Sequence, residues 1–161
     1  MSSIDIIEAN LAVVEHANAI IMLMDEYARD PMGGGQGLSD YAKTNLISEL
    51  AIRKTAHVFI ALVDDQPAGL ITCLEGFSTF SCQPLLNIHD LIVSVPYRGK
   101  GLSKLMLQAA EQIALDLGCC KLTLEVLEYN QIAQQAYRSF GFNGYELNPE
   151  MGKALFWEKK L

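Results

Sequence analysis

Cationic residues are scarce in this chain: 12 lysines and arginines stand against 19 aspartates and glutamates over 161 residues, a formal charge of −7. Sequence-independent binding of nucleic acid needs a surplus of cations to displace counterions, so the composition disfavours that function. Adhesion to an anionic membrane surface is disfavoured for the same reason. An acidic surface attracts cationic ligands, although the same balance also serves solubility alone. Cysteine is sparse too. Cys73, Cys82, Cys119 and Cys120 form no C-x-x-C pair, which points to neither zinc nor a disulfide framework and suits a reducing compartment. His16 and His57 stand without ligand spacing, so no metal is implied. Long apolar runs are missing: Val58 to Val63 falls far short of the roughly 20 residues that cross a bilayer. Asp5 and Glu8 interrupt the first apolar residues, unlike a secretion signal, and a cytoplasmic protein is expected. No repeat or Pro/Ser linker divides the chain. Its one break in composition, Gly33-Gly34-Gly35-Gln36-Gly37 after Asp30-Pro31, reads as a loop inside a single domain over residues 1–161.

What is present is an alternation of strand and helix patterns. Ile4 to Ala9 reads as a short strand, and Val13, Val14, Ala17, Ile20, Ile21 and Met24 recur at helical spacing up to the Asp-Pro break. Ser39 or Asp40 caps a second helix through Leu46, Ile47 and Leu50. Val58 to Val63 and Gly69 to Leu74 flank a turn at Asp64 to Pro67 and predict a hairpin. A third run, Asn87 to Val95, leads into Arg98-Gly-Lys-Gly101 and a helix with Leu102, Leu105, Met106, Ala109, Ile113 and Leu117 on one face, closed by Gly118. A strand at Lys121 to Leu127, a helix from Asn130 to Phe140 stopped by Gly141, and a β-like stretch from Leu155 to Trp157 complete the chain. The order predicts a mixed α/β domain.

Two constellations carry chemistry. At Arg98-Gly99-Lys100-Gly101-Leu102-Ser103 a strand ends, glycines clear side chains from the turn, and a helix begins with backbone N–H groups that lack internal partners. Such a turn receives an anion. It is not a P-loop, because Gly101 follows Lys100, and not a dinucleotide fingerprint, because Lys104 stands where the third glycine is required. A glycine turn with no ligand is the alternative. The second constellation is Asn130-x-x-Ala133-x-x-x-Tyr137-x-x-x-Gly141-Phe142, in which Ala133 and Tyr137 lie one turn apart on one helix face. The small Ala leaves a groove with a phenol beside it. Tyr137 read alone is more often a core aromatic with a satisfied hydroxyl.

Together these motifs resemble the GCN5-related N-acetyltransferase (GNAT) superfamily, whose motif Arg/Gln-x-x-Gly-x-Gly/Ala corresponds to Arg98-Gly-Lys-Gly101-Leu-Ser103. The resemblance implies a mostly antiparallel central sheet flanked by helices and acetyl-CoA as co-substrate. It implies that Arg98, Gly99, Lys100, Gly101, Leu102 and Ser103 surround the CoA pyrophosphate. By the same likeness, Leu91, Ile92 and Val93 offer backbone to the pantetheine arm, and Asn130, Ala133 and Tyr137 border the thiol. Ser103 departs from the family's preference for Gly or Ala. Gly76-Phe-Ser-Thr-Phe80 with Leu86-Asn-Ile-His-Asp-Leu91 is similar to the diamine and thialysine acetyltransferase branch, which implies a homodimer and a small cationic amine. That branch has a Glu-Asp pair where His89-Asp90 stands here.

Acyl transfer to an amine requires a neutral nitrogen, yet an alkylamine with a pKa of about 10.4 is protonated at neutral pH. A base or a water chain must take that proton. The two-residue strand period puts His89, Leu91 and Val93 on one face and Ile88, Asp90 and Ile92 on the other. His89 is the first choice by position and Glu75, at a strand end, the second; a strand histidine satisfied by a neighbour and a solvated terminal acid are the alternatives. Tyr137 is implied to stabilise or protonate the departing thiolate. Asp25, Glu26 and Asp40, in or beside the first two helices, are candidate holders of a second ammonium, or else ordinary exposed acids. Acetylation of a protein lysine or N-terminus, and a CoA-binding regulatory module without turnover, are the competing functions.

Overall fold

A computed structural model describes residues 2–146 and 148–161. Five strands form one sheet in the order β1-β2-β3-β4-β5: β1 Ile4–Glu8, β2 Ala56–Val63, β3 Gln66–Ser78, β4 Gln83–Val93 and β5 Leu122–Leu124. Neighbours are antiparallel except β4 and β5, which pair in parallel. Among the described residues four α-helices flank the sheet: α1 Val14–Arg29, α2 Asp40–Ile52, α3 Leu102–Asp116 and α4 Gln131–Phe140.

The apolar periodicities decide which faces are covered. Leu102, Met106, Leu107, Ala110 and Ala114 of α3 share a buried cluster with Ala61, Ile71, Cys73, Leu86 and Ile88 of the sheet. On the opposite face Ala19, Ile20 and Leu23 of α1 pack with Val58, Ile60, Leu70 and Ile92, and Leu46, Ile47 and Leu50 of α2 lean on the same cluster. Gly69 permits the tight approach on the α3 side, because a Cβ there would lie 2.9 Å from both the Ile92 carbonyl oxygen and the Met106 Cε.

The ends of the elements follow local chemistry. A proline biases the residue before it away from the α region, and α1 stops where Asp30 adopts extended geometry before Pro31. The Ser39 hydroxyl, rather than Asp40, caps α2 by accepting from the Ala42 N–H at 3.1 Å. The β2–β3 turn is shorter than the sequence suggests: Asp64 and Asp65, both with positive φ, make a two-residue turn, and β3 begins at Gln66.

Three further expectations about the fold fail. The alternation drawn along β4 is broken by a β-bulge, for Thr72 pairs with Asp90 and Cys73 with Ile88, leaving His89 as the extra residue. Ile88 therefore shares the α3 face with Leu91 and Val93, while Ile92 faces α1. β5 covers only Leu122–Leu124 instead of residues 121–127, since its pairing with β4 ends at Ile88 opposite Leu124. Leu155 to Trp157 forms no strand: the side chains of Leu155, Phe156 and Trp157 are at least 73% exposed, and strand propensity without a ladder partner does not hold a strand.

Candidate active site

β4 runs five residues beyond its last pairing with β5, so the two strands part at the bulge, and a cavity of about 640 Å³ opens beside the exposed half of β4. Leu91, Ile92 and Val93 line one side of it, and α4 contributes Asn130, Ala133 and Tyr137. Parallel strands that separate in this way leave main-chain groups of β4 without a ladder partner, available to a ligand.

At one end lies the glycine turn. Gly99 and Gly101 both have φ near +80°, with nothing within 4 Å of a Cβ built on either, so backbone conformation and not crowding selects glycine there. Gly101 is the N-cap of α3 in left-handed geometry with no side-chain cap, and Leu105 N–H makes the return bond to its carbonyl at 3.3 Å. The first N–H groups of α3 thus lack intrahelical acceptors and add to the positive end of the helix dipole. Gly99, Gly101, Leu102 and Ser103 line the cavity. Leu102 is also a buried core residue, which anchors the turn.

Arg98 lines the cavity as well, but its side chain already has partners. Its Nε donates to the Val93 carbonyl at 3.1 Å and its Nη2 to Asp30 at 3.0 Å. Asp30 also accepts from the Met32 N–H at 2.9 Å, and these bonds hold its carboxyl below the usual carboxylate range. Glu26 accepts from the Val95 N–H at 2.9 Å. The end of α1 is therefore pinned twice to the β4–α3 turn. Lys100 is not among the lining residues; its ammonium lies 5.2 Å from the centroid of the Tyr97 ring.

At the other end is Tyr137. Burial first, and then its neighbour Tyr27, push the phenol up to about 12. Its ring meets Phe142 edge-on at 6.0 Å between centroids, which fixes its orientation. A phenol so shifted keeps its proton throughout the neutral range and can offer it as a hydrogen bond. Asn130 spends its side-chain oxygen on capping α4, accepting from Ala133 N–H at 3.2 Å.

The remaining sequence candidates are dispersed. Glu75 lies away from the cavity, its Oε1 2.7 Å from the His57 Nε2 in a cross-strand pair; His57 therefore has a partner that spacing along the chain did not reveal. His89 is exposed on the bulge and does not line the cavity. Asp25 serves structure: Arg29 at 3.0 Å, Lys43 at 3.2 Å and the Leu38 N–H at 2.8 Å surround its carboxylate, and these partners, Arg29 foremost, hold its pKa below the ordinary value. Asp40 occupies the exposed first turn of α2. Of the three acids proposed for an acceptor, Glu26 alone borders the cavity. Tyr27, Asp30, Met32, Ile132 and Ala136 line it without having been singled out from sequence. Tyr27 sits three residues from Met24 on the apolar stripe of α1, and that helical spacing is the signal that could have found it.

The four cysteines are free, and among the described residues no group of three or more His, Cys, Asp or Glu side chains is arranged to hold a metal. Among the same residues no helix is long and apolar enough to cross a membrane.

The profile of the acetyltransferase (GNAT) family matches residues 20–142. A thialysine N-epsilon-acetyltransferase of Bos taurus is 31% identical over 120 residues, covering 65% of this chain and 68% of its own. An uncharacterized N-acetyltransferase of Archaeoglobus fulgidus is 28% identical over 123 residues, 72% of this chain and 84% of its own length. Among solved structures, the aminoglycoside N-acetyltransferase AAC(6')-Iy in complex with CoA superposes with a TM-score of 0.76 at 20% identity, covering 100% of this chain and 97% of that one. The split sheet, the glycine turn and these likenesses agree, and the chain belongs to the GNAT acetyltransferase family and is an acyltransferase.

Proposed function

We propose that residues 1–161 form one N-acetyltransferase domain that moves the acetyl group of acetyl-CoA directly to a primary amine held in the same complex. The acceptor class is a small cationic amine, polyamine or amino-acid side chain. The observation that carries this reading is the cavity between the unpaired end of β4 and α4, with an anion-receiving turn at one end and a buried phenol at the other. A relative that acetylates thialysine and structural neighbours that act on aminoglycosides support an amine acceptor. A homodimer and a cytoplasmic location belong to the same reading.

The cavity fits acetyl-CoA chemically. The amides of Gly99 through Ser103, at the positive end of α3, bind the pyrophosphate. The freed main chain of Leu91 to Val93 takes the amide groups of the pantetheine arm, and a backbone N–H there polarises the acyl carbonyl. Ala133, one turn before Tyr137, leaves room for the arm between α4 and β4. Bound acetyl-CoA supplies a thioester carbonyl as electrophile. Tyr137 would present its Oη proton to the departing sulfur, to stabilise or protonate the thiolate. Arg98, already bonded to Val93 and Asp30, acts chiefly by holding the turn against the end of α1.

The test is transfer of labelled acetyl from acetyl-CoA to polyamines, basic amino acids, aminoglycosides and lysine peptides, with the label followed in both small molecules and protein. Label passing straight into a small amine supports the proposal. Label confined to lysine peptides favours a protein acetyltransferase, and tight acetyl-CoA binding without any transfer favours a regulatory module.

A further inference from the structure

The last residues of Tyr137-x-x-x-Gly141-Phe142 take no part in the chemistry above, yet they hold Tyr137 in place. α4 ends at Phe140, and Gly141 follows with φ +107° and nothing within 4 Å of a Cβ built on it, so left-handed backbone is what glycine supplies there. The chain then turns back on the helix. Gly141 N–H donates to the Arg138 carbonyl at 3.1 Å, and Phe142 N–H donates to the Tyr137 carbonyl at 3.0 Å. These two bonds make a Schellman cap, in which the second residue past the helix packs on the residue whose carbonyl it satisfies. Phe142 is that residue. Its ring meets the Tyr137 ring at 6.0 Å between centroids and 65° between planes, and Phe140 stacks against it at 6.2 Å and 27°. Tyr137 and Phe142 are thus joined twice, main chain to main chain and ring to ring.

The pair also stands between two cavities. Tyr137 borders the cavity described above, which Phe142 does not reach. Phe140 and Phe142 border a second cavity of about 270 Å³, closed by Leu115 of α3 and by Cys119 and Leu122, and Tyr137 does not reach that one. A smaller side chain at position 142 joins the two spaces, gives the Tyr137 ring room to retreat and admits water to its hydroxyl.

We propose that Phe142, delivered by the Gly141 cap, is the positioning residue that keeps the Tyr137 hydroxyl at the departing sulfur. This rests on the amine-acetylating reading above and on the part Tyr137 has in it. Phe142 acts only through Tyr137, because it has no access to the acetyl-CoA cavity itself. The demand on it is steep, since misplacing a reacting group by about 1 Å costs on the order of 100-fold in rate.

The test uses the full chain with acetyl-CoA and an accepted amine. Phe142→Leu is expected to lower kcat on the order of 10- to 100-fold while acetyl-CoA affinity and the KM for the amine stay within about two-fold. In a Tyr137→Phe background the same substitution should change kcat by less than about two-fold, because the hydroxyl it positions is already gone. A merely structural role would act on both backgrounds alike, so equal losses in the two, or no loss in the wild-type background, overturn the proposal. Phe142→Met serves the same comparison should Phe142→Leu fail to fold. If the wild-type chain acetylates no amine, or Tyr137→Phe turns over as the wild type does, the functional reading fails separately. Carbon-13 NMR of the tyrosine Cζ atoms, with the Tyr137 signal assigned by its loss in Tyr137→Phe, then decides the contact. The wild-type phenol, pushed up to about 12 chiefly by burial, stays mostly protonated at about pH 11. Extensive ionisation there in Phe142→Leu supports the positioning, and ionisation equal to the wild type overturns it.

Discussion

Gly101→Ala isolates the backbone contribution of the anion-receiving turn. Gly101 has φ +79° and nothing within 4 Å of an added Cβ, so the substitution causes no collision and changes only the preferred conformation. Holding an L-residue other than Gly in left-handed geometry costs about 1–2 kcal/mol. That cost has two places to go. A variant turn that keeps its shape loses stability, by about 2–4 °C in Tm per kcal/mol for a domain of this size. A turn that relaxes in the free protein must be restored on binding, and acetyl-CoA affinity falls by about 5- to 30-fold, at roughly 1.4 kcal/mol per factor of ten. Thermal melting and calorimetric titration of acetyl-CoA, run on the same preparation, should together account for the 1–2 kcal/mol. Gly101→Asn should lose less on both, since asparagine tolerates this geometry better. Wild-type Tm together with wild-type affinity in Gly101→Ala would refute the reasoning that the turn's left-handed backbone builds the site.

Further predictions address the side chains. Tyr137→Phe should bind acetyl-CoA as the wild type does and turn over on the order of 100-fold more slowly, the scale of a lost proton donor; equal turnover removes the leaving-group role. Because the Tyr137 phenol is raised from 10.0 to about 12, its contribution to stability is full below pH 10 and is lost as pH rises toward 12; urea midpoints between those values should fall less steeply in Tyr137→Phe. Asp90 is raised above 3.8, so its contribution is full below that value and is lost as pH rises through the folded pKa. Asp90→Asn should therefore melt higher than wild type at neutral pH, with the advantage vanishing in acid, and a variant less stable at neutral pH would contradict the buried placement. Glu75→Gln should leave kcat and its pH profile unchanged, since the carboxyl is paired with His57 away from the cavity; a lost ionisation would return Glu75 to the site.

Much of the fold is legible because periodicity and punctuation agree. The stripe of α1, the Asp30-Pro31 stop, the Ser39 and Asn130 caps and the glycine ends of α3 and α4 are local properties, set by residues within a turn of one another. The glycine turn and the Ala133–Tyr137 face are legible for the same reason. What escapes is set across strands. The bulge depends on the register of β4 against β3, which no count along β4 contains, and the extra residue His89 reverses the facing of the β4 residues beyond it. The His57–Glu75 pair joins residues 18 apart through the β2–β3 hairpin. Leu155 to Trp157 shows the opposite error, where apolar composition suggested a strand that no neighbouring strand holds.

Acceptor-dependent release of free CoA thiol from acetyl-CoA tests the central claim most directly, with the amine panel and Tyr137→Phe assayed beside the wild type. The account predicts thiol release that requires a small cationic amine, saturates with it and slows in the variant. Thiol release independent of any amine, or none with every amine despite bound acetyl-CoA, would contradict it.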